Sequence, residues 1–161
     1  MSGNGIIRAI QSIEDEQERD TITNDNDLFA PPLPRGAMDN IMEGIEGDGS
    51  PWSYMCASLF AREAKEYGAL WHGVSWEAHC VVSPDFSDDA IITPDYIDLE
   101  WKKKPSDFTP KVAFVEESVV VTFYTFSGLG ISGVYEHVDT YRKGTYVFET
   151  INEKIAEGGM G

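Results

Sequence analysis

Residues 71 to 80 read WHGVSWEAHC, placing two tryptophans, two histidines, a glutamate and a cysteine within one short run. These are the side chains of acid–base, thiol and metal chemistry, and each chemistry makes its own demand on their directions. A thiol hydrolase would need a cysteine beside a histidine, and the pair to consider is Cys56 with His72. An acid–base catalyst, or half of a zinc site, could come from Glu77 and His79. Downstream, Asp85, Asp88 and Asp89 sit in DFSDDAIITPDY and could hold a hard divalent cation of the calcium type.

Strand alternation sorts the first run. Read as one extended strand, ALWHGVSWEAHCVV puts Leu70, His72, Val74, Trp76, Ala78, Cys80 and Val82 on a core face. Trp71, Gly73, Ser75, Glu77, His79 and Val81 then share the other face. His79 and Cys80 point to opposite sides, and His72 lies about 26 Å from Cys80, so no Cys–His couple forms within the strand. Glu77 and His79 stand roughly 6.5–7 Å apart on one face, near enough to share a metal only if further ligands arrive from elsewhere. Nothing at regular spacing supplies them. The aspartate run fails as an EF-hand, because Ala90 occupies the glycine position and Tyr96 the bidentate glutamate position.

The elements that position these residues follow from local signals. Ser50 as N-cap, Pro51 at the first helical position and Gly68 just past the end bracket a helix. Trp52, Met55, Cys56, Leu59, Phe60, Ala64 and Tyr67 recur on one side of it and are expected in the core. On that stripe Cys56 is a small core hydrophobe, beyond the orphan N–H groups that would activate a thiol.

After Gly68 come strands: the 69–82 run, YIDLEWKKK, then KVAFV and VVVTFYTF joined by EES as a hairpin. GLGISG, residues 128 to 133, has the spacing of a dinucleotide fingerprint. Too little chain follows for the parallel strands of a cofactor crevice, so a glycine-rich hairpin loop is expected. VYEHVDTYR fits a strand or a short helix, and ETINEKIAEGG a closing helix or an edge strand. The predicted class is α+β, with N-terminal helical segments packed on a mainly antiparallel meander and a short C-terminal helix as one ending. Residues 1–36 read as an acidic helix or extended arm with a Pro-rich connector, and 37–161 as one domain.

Composition bounds the function. The 161 residues suit one core, and 28 acidic against 12 basic side chains leave a net charge of −16. That field repels phosphate backbones and anionic lipid, and it favours cations or a basic protein surface. Two cysteines make no disulfide framework, and the N-terminus has no apolar leader run, so a cytoplasmic protein is expected. The expectation is a small non-enzymatic binding or regulatory protein that meets a basic partner through Trp71, Glu77 and His79, with no cofactor. The alternatives are a divalent-cation binder and a thiol or acid–base hydrolase.

Overall fold

The computed structural model describes residues 40–66, 75–82, 84–85 and 99–160. The chain divides into two units, Met1–Ile45 and Glu46–Gly161. In the first, a 3-10 turn spans Ile41–Gly44, and the Asn40 side chain caps it by accepting from the Met42 amide at 3.0 Å.

In the second unit, helix α1 spans Pro51–Glu66. Its start is the predicted one: Ser50 Oγ accepts from the Ser53 amide at 3.2 Å. Gly68 lies outside the described residues. The strands are β1 (His79–Val81), β2 (Glu100–Trp101), β3 (Lys111–Val115), β4 (Ser118–Ser127), β5 (Ile131–Arg142) and β6 (Phe148–Met160). All pairings are antiparallel, in the order β1-β4-β5-β6-β2, and β3 also pairs with β4. β3 takes Ser118–Thr122 and β1 takes Thr125–Ser127, so the two short strands share one edge of β4.

Two expectations hold. KVAFV and the following strand form a hairpin with Glu116 and Glu117 as its turn. GLGISG lies in the β4–β5 hairpin, with Gly130 at φ +68°, a conformation suited to glycine.

The fold class itself needs correction. Among the described residues a single α-helix accompanies a mainly antiparallel six-stranded sheet, and the C-terminal run is strand rather than helix. Ile151 and Ile155 have helix-compatible spacing, but β6 is paired along β5 from Phe148 to Met160. Those ladder bonds override the local pattern. Ile151 and Ile155 share one face of the strand, where Ile155 is buried in an apolar cluster and Ile151 is exposed. The register shifts next to Gly133, where an added Cβ would approach the Ala156 carbonyl oxygen to 2.6 Å. Glycine is needed there for close backbone approach.

Both faces of the sheet are covered. On one, Val82, Phe108, Tyr124, Val134, Ile155 and Ala156 form an apolar cluster with Leu99, Trp101 and Phe126 against it. On the other, Val119, Val121, Phe123 and Tyr141 are buried beneath α1.

The helix presents a different stripe to the sheet from the one predicted. Tyr54, Met55, Ala57, Ser58 and Ala61 are buried, whereas Trp52, Cys56 and Phe60 are exposed. The polar groups set the rotation. Ser58 and Tyr141 hydroxyls lie 2.7 Å apart, the Tyr54 hydroxyl oxygen accepts from the Gly144 amide at 3.1 Å, and Arg62 donates to Asp139. Such bonds are worth more buried than left to water, and the small Ala57 and Ala61 allow close approach. Cys56 is therefore no core residue. No helix among the described residues is long and apolar enough to cross a membrane.

Candidate functional site

Beneath α1 the sheet carries a continuous polar chain. Register places Thr125, His137, Asn152, Asp139 and Thr150 on the face that α1 covers, since Phe123 pairs with His137, His137 with Asn152, and Asp139 with Thr150. β1 brings His79 opposite Ser127, on the same face. Thr125 Oγ1 lies 2.8 Å from His79 Nδ1 and 2.7 Å from His137 Nε2. His137 Nδ1 lies 2.6 Å from Asn152 Oδ1.

The donors can be assigned in sequence. Arg62 Nη2, which can only donate, reaches Asn152 Oδ1 at 3.3 Å, so that atom is an acceptor. His137 Nδ1 then carries the hydrogen, and its Nε2 accepts from the Thr125 hydroxyl. Thr125 Oγ1 in turn accepts from His79 Nδ1–H. Both imidazoles are thereby fixed as the same tautomer, and His79 Nε2 keeps a lone pair with no hydrogen bond among the described residues.

Burial keeps them neutral. It pushes the His137 imidazole down to about 4, with the Arg62 guanidinium acting in the same sense. Burial first, then Arg62, also lowers His79.

Arg62 anchors the other end. It donates to the fully buried Asp139 carboxylate at 2.7 and 2.9 Å and to Thr150 Oγ1 at 3.0 Å. Its guanidinium lies 5.0 Å from the Phe123 ring centre and 5.5 Å from that of Trp76. Trp76 stacks on His79 at 5.4 Å and donates its indole N–H to Glu63 at 3.0 Å.

Thr125, His137 and Asn152 resemble a nucleophile, a base and its orienting group in type and order. The burial of Thr125 and His137 argues against that role, because Thr125 is fully enclosed and a substrate carbonyl has no approach to its oxygen. The chain does structural work, tying α1, β1, β4, β5 and β6 together.

The residues singled out from sequence are scattered. Ser75–Ala78 is a 3-10 turn followed by β1 from His79, so the expected strand alternation does not run through residues 75–78. Trp76 and His79, assigned to opposite faces, stack instead, as residues three apart in a 3-10 turn can. Cys80, expected in the core, is exposed. Glu77 is exposed on the turn, and His79 is half-buried against Thr125 and Tyr135. Trp71 and His72 lie outside the described residues, as do Asp88 and Asp89, and Asp85 is exposed. Among the described residues no three His, Cys, Asp or Glu side chains converge as a metal site.

Sequence reasoning missed Arg62, Thr125, Asp139 and Asn152, and noted His137 only as a third histidine. The signal was the hairpin loop: once Ser127 faces Gly133, Phe123 must face His137 and Val121 must face Asp139.

The second feature of note is the outward stripe of α1. Trp52 is 73% exposed, Phe60 is 37% exposed, and Cys56 lies exposed between them in sequence at the same four-residue spacing. No known protein family, curated protein or solved structure matches the chain.

Proposed function

We propose that this is a small acidic binding domain that engages a basic protein surface through the outward stripe of α1, with no catalysis by its own residues. The observation that carries the reading is the exposure of Trp52, at 73%, in line with Cys56 and Phe60. A helix that buries Tyr54 and Met55 yet leaves Trp52 and Phe60 exposed on its outer side has a surface suited to a partner. The net charge of −16 supports a basic partner, whose approach it would speed and whose acidic competitors it would repel.

The contact surface thus differs from the one the sequence suggested. His79, held by Thr125 and stacked on Trp76, serves the interior, while the exposed Glu77 can still add to the acidic field.

The test is salt-graded affinity capture with the native chain and a Trp52→Ser, Phe60→Ser variant, followed by identification of what is retained. Basic proteins should be retained at low salt, released as salt rises, and lost with the variant while its unfolding curve stays unchanged. Retention by the variant equal to that of the native chain, or retention indifferent to salt, would overturn the reading.

A further inference from the structure

β3 lies at a margin of the sheet, and its backbone parity can be worked out. The two-residue turn at Glu116 and Glu117 makes Val115 and Ser118 the closing hydrogen-bonded pair. Alternation then turns the N–H and C=O groups of Lys111, Ala113 and Val115 towards β4, and those of Val112 and Phe114 away from it. The same parity shows further along that edge of β4, where the Tyr124 carbonyl accepts from the Val82 amide at 2.9 Å. Among the described residues nothing pairs with the outward groups of Val112 and Phe114.

Natural edges are usually blunted by charge, and here the protection is weak. Lys111 is drawn back to Asp107 at 3.2 Å. Phe114 is 47% exposed although its ring lies 6.0 Å from that of Tyr54, and Val115 is exposed as well.

We propose that the outer edge of β3 receives an extended basic segment of the partner as an added strand. Main-chain bonds to Val112 and Phe114 supply the pairing, and the exposed Phe114 ring supplies a contact for an alternate side chain. The basic character of the segment rests on the function proposed above and on the net charge of −16. A second copy of this chain is the poorer occupant. It would bring the same charge to the contact, and a five-residue edge is far short of the roughly 1,200 Å² that a stable dimer buries.

The experiment is an amide NMR titration of the full chain with a capped peptide of alternating lysine and valine. Shifts should centre on Val112 and Phe114, and affinity should fall as salt rises. Val112→Pro should weaken binding roughly tenfold, because it removes an outward donor without touching the β3–β4 ladder. Should that variant not fold, the peptide N-methylated at alternate amides, added to the native chain, gives the same answer by failing to bind.

Shifts confined to Trp52, Cys56 and Phe60 would overturn the edge inference and leave the basic-partner reading standing. No response anywhere, or equal binding of a glutamate–valine peptide, would overturn both. A self-dimer abolished by Val112→Pro would name the wrong occupant and overturn the inference.

Discussion

Arg62 of α1 and Asp139 of β5 form a two-point ion pair, at 2.7 and 2.9 Å, in which the carboxylate is fully buried. The planar guanidinium matches both carboxylate oxygens, which a lysine cannot do. Removing the cation leaves a charge enclosed without a partner. Arg62→Ala should therefore lower the unfolding free energy by about 3–5 kcal/mol in urea denaturation. Replacing both partners, as Arg62→Met with Asp139→Leu, should recover much of that loss. A small effect of the single change would show that Asp139 is better solvated than its burial implies.

The His137 imidazole, pushed down to about 4 from its ordinary 6.5 chiefly by burial, links stability to pH. The unfolded chain binds the proton more readily, so the contribution is complete above pH 6.5 and is lost as pH falls to about 4. Its size is on the order of 3 kcal/mol. Protonation at Nε2 would also take away the acceptor that Thr125 uses. Relative to His137→Phe, the native protein should lose stability more steeply between those limits in urea melts taken across pH. Parallel curves would refute the assignment. Because His79 is present in both proteins, its own lowered value, which acts in the same direction, largely cancels.

Thr125 is the hinge of the tautomer assignment, since its one hydroxyl serves His79 Nδ1 and His137 Nε2 together. Thr125→Val keeps the shape and leaves both nitrogens unmatched, at a cost of about 1–3 kcal/mol. Side-chain nitrogen NMR should show both rings as Nδ1–H tautomers in the native protein, with the His137 ring relaxing towards a mixture in the variant. Thr125→Ser should restore the native pattern. An Nε2–H tautomer at His137 in the native protein would reverse the direction of the whole chain.

What the sequence disclosed about this fold depends on how local each determinant is. The Ser50 cap, the Glu116–Glu117 turn and the glycine loop are each set within a few residues, and all three appear where expected. The rotation of α1 was not legible, because it is decided by Asp139 and Tyr141, more than seventy residues away along the chain. Hydrophobicity alone favours Trp52, Cys56 and Phe60 for the core. The bonds made by Tyr54, Ser58 and Arg62 outweigh it. The 3-10 turn at Ser75–Ala78 was hidden in the same way, since Trp76 leaves an extended course to stack on His79 and reach Glu63.

Cys56 makes the rotation of α1 directly testable and Cys80 the course of β1, for both are exposed in the structure whereas the sequence pattern places both inside. A maleimide should label both thiols in the folded protein, before any unfolding signal, with intact-mass spectrometry counting the additions. Protection of Cys56 until denaturant is added would mean that the helix is turned as the sequence suggested. The label then reports on function. A bulky adduct at Cys56, between Trp52 and Phe60 on the outward stripe, should block capture of the basic partner and leave stability within about 0.5 kcal/mol. The same adduct on Cys80, in a Cys56→Ser background, should leave capture intact, because Cys80 lies on β1 rather than on the helix. Capture that survives labelling at Cys56 would remove α1 from the binding surface.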